Sequence, residues 1–233
     1  MRIGLLSEGP IDFELISALL RRISRSRVGI TWPLRVADMI VELRYRPRGY
    51  GQVVNALRRL LPLLDSTEWL SFSLFVVVID NSSRARRDIR KLLGGQQKFV
   101  LGVAIREIEA WWLADRRNTL EWLGLHDVAH DGFRYWAHRY SPERDTQPKD
   151  TLDELTRLSE RVDRTYGDGN LELAREFAAA GSENAELDQI ENGCRRGFAP
   201  FCQDSIEALR RAQRRGPTGS PVRARRQRAP RGL

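Results

Sequence analysis

Short apolar runs alternate with helix-period segments through the first half of the chain. The apolar runs predict four strands, at Ile3–Leu6, Val36–Leu43, Phe72–Ile79 and Phe99–Ile105. The run Phe72–Ile79 is almost continuously apolar and rich in β-branched residues, as in strands that are buried on both faces of a parallel sheet. Because a helix-period segment follows each strand, we expect an α/β fold with a doubly wound, mainly parallel four-stranded sheet.

The second half of the chain has a different pattern. The helices predicted after the four strands are Ile11–Ile23, Gln52–Leu61, Arg84–Leu93 and Arg106–Asp115. Residues 119–213 instead predict short helices joined by polar segments that contain glycine. We therefore expect an α/β domain over residues 1–118, a C-terminal helical extension over 119–213 packed on it, and a disordered Arg-rich tail over 214–233.

Composition limits the class of protein. The chain has 233 residues, of which 41% are hydrophobic, and this fraction suffices for a buried core. It excludes a disordered chain, a disulfide-stabilised miniprotein and a fibrous repeat. The net charge is +8, but the tail over 214–233 holds seven arginines and no acid, which leaves +1 on residues 1–213. The basic isoelectric point therefore does not by itself indicate a basic nucleic-acid-binding surface on the folded part.

Cysteine usage and hydropathy indicate the compartment. The two cysteines, Cys194 and Cys202, are eight positions apart, and the N-terminal sequence reaches an acid and a proline too early for a secretory signal. Free thiols in a reducing cytosol are therefore expected. No run of 18 apolar residues occurs, so no membrane span is expected. We predict a cytoplasmic protein with no membrane partner.

Acidic residues follow three of the four predicted strands. Glu8 follows the first strand, Asp80 the third, and Glu107 and Glu109 the fourth, whereas the second strand brings only arginines. Ligands of parallel sheets bind at the carboxyl ends of the strands, so these acids are expected at one edge. Oxygen ligands favour Mg²⁺ or Mn²⁺, which could orient a phosphodiester. For each acid alone, capping of the following helix is the alternative.

Several motifs resemble the Toprim domain of topoisomerases, DnaG-type primases and overcoming-lysogenization-defect nucleases. The segment Glu8-Gly9-Pro10-Ile11-Asp12 is similar to the E-G-x-x-D opening of that domain, and Asp80 matches the first acid of its D-x-D element. The stretch from Arg106 to Asp115 resembles an uncharacterised Toprim-like bacterial family that is often found near defence-type ATPases. Pro148-Lys149-Asp150 resembles a Pro-Lys element of the same family. The resemblance covers about residues 1–205.

The resemblance implies a metal-dependent phosphodiester site. Glu8 would be a general acid/base or a ligand, Asp80 a metal ligand and Glu109 the third carboxylate. The implied function is a Mg²⁺-dependent nuclease acting on DNA or RNA, as an antiphage effector with an ATPase partner. The second acid of D-x-D falls on Ser82, a poorer Mg²⁺ ligand, for which Asp12, Asp88 or Glu107 could compensate. The alternative is therefore an inactive Toprim-like scaffold that binds nucleic acid or a partner protein.

Basic residues supply candidate phosphate contacts. Arg106 lies beside the acids and could clamp a phosphate, or it could pair with Glu107 or Glu109. Lys149 could contact a phosphate or be solvated. Among the arginines after the second strand, Arg44, Arg46 and Arg48 are interleaved with tyrosines, a pattern typical of nucleic-acid contact as well as of a solvated loop. The Arg-rich tail is a further electrostatic candidate or a basic extension without a specific partner.

A third class of function is a nucleotide-binding α/β regulator. Such proteins hold phosphate groups on a Gly-rich loop at a helix N-terminus. No Gly-rich phosphate loop follows any predicted strand, and Glu8-Gly9-Pro10 puts an acid where a phosphate would lie. The sequence therefore disfavours this class.

Overall fold

The fold is built on a four-stranded, all-parallel sheet. The computed structural model describes residues 1–45, 49–80, 83–125, 140–159, 161–162, 165–166 and 171–215. The strands are β1 Arg2–Leu6, β2 Arg35–Asp38, β3 Leu74–Asp80 and β4 Phe99–Ala104, in the spatial order β2–β1–β3–β4. Every neighbouring pair is parallel. The predicted α/β class with a parallel four-stranded sheet is confirmed.

Helices connect the strands and form the C-terminal part of the chain. Those that cross between the strands are α1 Pro10–Ser26, α2 Met39–Glu42, α3 Gly49–Leu60, α4 Thr67–Leu70 and α5 Ser83–Leu93. Those that follow the sheet are α6 Glu109–Ala114, α7 Arg116–Leu123, α8 Pro148–Leu158, α9 Leu171–Asn184, α10 Leu187–Gly193 and α11 Phe198–Arg215. In the described part of the chain, none of these helices combines the length and apolarity that crossing a bilayer requires.

Both faces of the sheet are buried, because successive side chains of each strand point to opposite sides. On the first face, Leu5 and Val76 pack with α1, α9 and α11. On the second face, Leu6 and Val77 pack with α2, α3 and α5. This arrangement explains why β3 reads as a continuous apolar run: six of its seven residues are buried.

The C-terminal helices belong to the same core as the sheet. A Cβ atom added at Gly102 of β4 would lie 2.8 Å from Cδ2 of Phe201 in α11. A Cβ atom at Gly181 of α9 would lie 1.9 Å from Cζ3 of Trp112 in α6. Cys194 and Cys202 are buried here as free thiols, as expected. The helical extension therefore packs directly on the α/β part rather than beside it.

The structure corrects several predicted boundaries. β2 ends at Asp38 and not at Leu43, because the Asp38 side chain caps α2: its Oδ1 accepts from the N–H groups of Ile40 at 2.9 Å and Val41 at 3.3 Å. Three short helices, α2, α4 and α10, were not predicted.

The predicted tail begins inside a helix. α11 continues to Arg215, so the first two residues of the segment 214–233 are helical. Residues 216–233 lie outside the described part of the chain.

Candidate active site

Five carboxyl groups interact at the carboxyl edge of the sheet. Glu8 follows β1, Asp12 lies in the first turn of α1, Asp80 ends β3, and Glu107 and Glu109 lie between β4 and the start of α6. Each of the other four raises the pKa of Asp80 through its charge, so they lie close to it. We call these five residues the acid cluster. The parallel topology is what joins them, because it brings the ends of β1, β3 and β4 to one edge.

A hydrogen bond from β3 fixes the position of Glu8. Its Oε1 accepts from the backbone N–H of Asp80 at 2.9 Å. The backbone N–H of Tyr50 in α3 also donates to this carboxylate. Burial raises the pKa of Glu8 above its usual value, although both hydrogen bonds act in the opposite direction. Glu8 thus connects the ends of two neighbouring strands.

Asp12 belongs to the acid cluster because of the local geometry of α1. Gly9 is the N-cap of this helix and Pro10 its first residue, so the Asp12 side chain reaches back to accept from the Gly9 N–H. Burial raises the pKa of Asp12 to about 7, and the charges of Glu109 and Glu8 add to the effect. The E-G-x-x-D motif contains this residue, and the structure makes it a full member of the cluster.

Asp80 is strongly perturbed by the other members of the acid cluster. Burial raises its pKa to about 9, and the charges of Asp12, Glu109, Glu8 and Glu107 contribute further. No described residue donates a hydrogen bond to its carboxyl group. Asp80 therefore holds a proton at neutral pH and would release it if a cation entered the cluster.

Glu109 is the most buried acid of the cluster, with 5% of its surface exposed. The hydroxyl of Tyr166 donates to its Oε1 at 3.0 Å. Burial raises the pKa of Glu109, and the charge of Glu107 adds to the effect, while its own backbone N–H, the Tyr166 hydroxyl and the charge of Lys149 oppose the shift. Sequence reasoning missed Tyr166, because the residue lies 57 positions from Glu109 and no local pattern marks it.

Lys149 supplies a positive charge to the acid cluster. Its backbone N–H, in the first turn of α8, donates to Oε2 of Glu107 at 2.9 Å. Its ammonium group acts to lower the pKa of both Asp12 and Glu109. Lys149 is only partly exposed, so it is better described as part of this edge than as a solvated surface residue.

Arg106 lies at the border of the acid cluster with its side chain exposed. It forms no ion pair with any described residue, so the expected pairing with Glu107 or Glu109 is not observed. Its φ angle is 78°, in the left-handed region that costs a non-glycine residue about 1 kcal/mol. Such strained residues cluster at functional sites. The α6 helix begins after this bend, at Glu109 and not at Arg106.

The predicted metal ligands Glu8, Asp80 and Glu109 share one electrostatic environment. However, no group of three or more acidic, His or Cys side chains within the described ranges is arranged to hold a metal ion. Oxygens of Glu8 and Glu109 instead accept the hydrogen bonds from Asp80 and Tyr166. The donor chemistry, all carboxyl oxygen, fits Mg²⁺ or Mn²⁺. The metal thus stays a prediction, and Ser82 lies outside the described residues.

The second strand also brings an acid, which corrects the expectation that it brings only arginines. Asp38 ends β2, but its side chain caps α2 and its acidic neighbours are Glu14 and Glu42 rather than the acid cluster. Burial raises its pKa. This acid has the helix-capping role that was the alternative for every strand-end acid.

The predicted nucleic-acid loop is described in part. Arg44 is exposed, with a φ angle of 59°, whereas Arg46 and Arg48 lie outside the described residues. Tyr45 and Tyr50 both pack against the core of the second sheet face. The Tyr50 hydroxyl also donates to Oδ2 of Asp88 at 3.1 Å. The stacking of bases on these tyrosines is therefore not supported. Asp88 interacts with Tyr50 and with Arg84 of α5 rather than with the acid cluster.

Comparisons with protein-family models, with curated proteins and with solved structures each returned no match.

Proposed function

We propose that this protein is a Mg²⁺- or Mn²⁺-dependent, nuclease-like phosphodiesterase that hydrolyses nucleic acid at the acid cluster. The observation that carries the proposal is the pKa of Asp80, which burial and four neighbouring acids raise to about 9. Lys149 is the one cation that acts on these five acids among the described residues, so the acids outnumber the positive charge, and a divalent cation is the usual remedy in sites that bind phosphodiesters. The resemblance of Glu8-Gly9-Pro10-Ile11-Asp12 to the Toprim opening agrees with it.

The residues divide into three roles. Glu8 and Asp80 would hold the metal from the ends of β1 and β3, and Glu109 would complete the set from α6, oriented by the Tyr166 hydroxyl. When bound, the metal supplies Lewis-acid stabilisation of the charge that develops on the phosphate. Arg106, exposed at the border, would contact a phosphate oxygen of the substrate.

The test combines metal binding with hydrolysis. Wild type is heated with Mg²⁺, with Mn²⁺ and with chelator, and is incubated with plasmid, single-stranded DNA and RNA under the same conditions. We expect both metals to raise the melting temperature and to support hydrolysis. Asp80→Asn and Glu8→Gln should lose the thermal shift and reduce hydrolysis at least about 100-fold, as removal of a group that stabilises a transition state does.

Asp38→Asn is the matched control, because Asp38 also ends a strand of the sheet but caps α2 away from the acid cluster. It should keep both the thermal shift and the hydrolysis. Hydrolysis that persists in chelator, or that survives both cluster substitutions, would contradict the proposal.

A second candidate is a Toprim-like scaffold without catalysis that binds nucleic acid or a partner protein. The observation that favours it is that no described set of three acids is arranged to hold a metal, while the Lys149 ammonium already offsets the charge of Asp12 and Glu109. On this alternative, wild type binds its partner with no response to metal and no hydrolysis. An ATPase partner in antiphage defence, implied by the resemblance of residues 106–115, is compatible with either candidate.

A further inference from the structure

Helix α5 presents a strongly cationic surface. Its buried side is formed by Ala85, Ile89 and Leu93, which are four residues apart and pack into the core of the second sheet face. Five of its residues are fully exposed and cationic, Arg84, Arg86, Arg87, Arg90 and Lys91, and the half-exposed Asp88 is the one acid among them. We call these five residues the α5 cationic face. Its charge contrasts with the total of only +1 on residues 1–213.

The cations of this face differ in how far neighbouring acids neutralise them. The Arg84 guanidinium lies 3.9 Å from Asp88, and the charge of Arg90 acts on Asp204 of α11. Arg86, Arg87 and Lys91 form no ion pair with any residue that the structure describes. These three charges are therefore available to an external anion.

The position of the helix connects this surface to the acid cluster. α5 begins three residues after Asp80, so its N-terminal end lies at the edge of the sheet where the cluster is formed. From Arg84 to Lys91 the face extends about 10 Å along the helix axis, the rise of about three nucleotides of a strand. A phosphate backbone lying along α5 would thus lead directly to the acids.

A membrane surface does not fit this helix. Interfacial helices insert an exposed apolar face among the lipids, and the apolar side of α5 is already buried in the protein core. Arginine, four of the five cations, binds phosphate oxygens in a bidentate manner.

We propose that the α5 cationic face binds the sugar–phosphate backbone of a nucleic acid, independently of sequence, and directs the strand to the acid cluster. The direction toward the cluster rests on the proposed function, whereas the binding itself does not. The face differs from the loop arginines and Lys149 that the sequence suggested, because its cations all lie on one helix.

The test measures binding in chelator, where hydrolysis is absent. The full-length protein is titrated into fluorescently labelled 20-nucleotide single-stranded DNA, its duplex and RNA of the same sequence, at several salt concentrations. We expect Arg86→Gln/Arg87→Gln to weaken binding by about tenfold, since two charge-assisted phosphate contacts are lost. The slope of log affinity against log salt for the single strand should fall by about 1.4, that is about 0.7 for each contact.

The matched control is Arg25→Gln/Arg35→Gln. It removes the same charge from two exposed residues at the amino edge of the sheet, one in the last turn of α1 and the other at the start of β2. It should bind like the wild type. Equal weakening by the two double substitutions would overturn the proposal, as would the absence of nucleic-acid binding at low salt. Tighter binding of a labelled polyglutamate that depends on Arg86 and Arg87 would also overturn it, in favour of an acidic protein partner.

Failure of this proposal is separable from failure of the proposed function. Asp80→Asn should bind all three nucleic acids like the wild type in chelator, even though it should not hydrolyse them with metal. Binding that is lost in Asp80→Asn but unchanged in Arg86→Gln/Arg87→Gln would assign the contact to the acid cluster and reject the α5 cationic face.

Discussion

Asp80 and Asp115 are both carboxyl groups withdrawn from solvent at the end of a core element, yet their surroundings are opposite. Asp115, 1% exposed between α6 and α7, accepts from the Asn118 amide at 2.9 Å and from the backbone N–H of Glu186 at 3.0 Å. Asp80 receives no hydrogen bond at its carboxyl group from a described residue, and four other acids face it. Burial raises the pKa of both.

This difference separates an acid that stabilises the fold from one whose burial the fold does not explain. The carboxyl group of Asp115 connects the start of α7 to the start of α10, so its oxygens are satisfied by hydrogen bonds in the native state. The carboxyl group of Asp80 is held where repulsion and burial oppose its ionisation, at a cost to folding that a structural role would not explain.

Removal of the satisfied carboxyl group should have the largest effect on stability. Asp115→Ala leaves the Asn118 amide and the Glu186 N–H without their acceptor, and we expect a loss of about 3 kcal/mol in the free energy of unfolding. Asp80→Asn, in contrast, should leave stability unchanged or raise it, because it removes a repelled acid. Urea unfolding at pH 8 measures both. A larger loss for Asp80→Asn than for Asp115→Ala would break the comparison.

The pH dependence of stability should reveal the protonated state of Asp80. Its pKa is about 9 in the folded protein, against the ordinary value of 3.8 that it has in the unfolded chain. The folded state therefore keeps a proton that the unfolded state releases, so this contribution to stability is present below pH 3.8 and is lost as the pH rises toward 9.

We expect Asp80 to make the unfolding free energy in chelator fall by about 2.7 kcal/mol between pH 6 and pH 8, at up to 1.4 kcal/mol per pH unit for its retained proton. Asp80→Asn should flatten this slope, and Mg²⁺ should reduce the fall in the wild type. The same slope in the wild type and in Asp80→Asn would show that Asp80 is ionised in the folded protein.

Glu109 lies between the two extremes, since it is buried and faces other acids but accepts one hydrogen bond from Tyr166. Tyr166→Phe should lower the unfolding free energy by about 1.5 kcal/mol, because the buried carboxyl group loses the Tyr166 hydroxyl and keeps its own backbone N–H as a donor. It should also raise the pKa of Glu109, which a titration by NMR would detect as a shift to higher pH. An unchanged Glu109 titration would mean that Tyr166 contributes only packing.

The smallest expected effect concerns Asp38, the strand-end acid with a capping role. Asp38→Ala should cost about 1 kcal/mol of unfolding free energy, the usual value of an N-cap, whereas Asp38→Asn should cost a few tenths at most. Thermal unfolding of the two variants side by side measures this. Equal losses in both would indicate that the charge of Asp38, rather than its capping hydrogen bonds, stabilises α2.

The sequence predicted those features that depend on local pattern. Apolar runs identified β1, β3 and β4, and the parallel topology then brought Glu8, Asp80 and Glu109 to one edge. The predicted second strand was too long, because apolar residues continue past Asp38. Only the hydrogen bonds that cap α2 show that β2 ends there.

Long-range packing set the remainder of the site. Tyr166 reaches Glu109, and the Lys149 charge reaches Asp12, through the way the segment around α8 packs against α6. No periodicity or residue spacing in the sequence predicts either contact. The cations of α5 can be read directly from the sequence. That they share the exposed side of the helix follows only from the burial of Ala85 and Ile89 on the other side.

The hydrogen bond from the Asp80 N–H to Glu8 affects how substitutions at position 8 must be interpreted. A substitution at position 8 that removes the acceptor frees the end of β3, so it displaces the residue at position 80 as well. Glu8→Ala therefore acts on two residues at once, whereas Glu8→Gln keeps an acceptor oxygen and changes only the charge. In a double-mutant cycle the two positions will be non-additive, with the combined loss smaller than the sum of the separate losses.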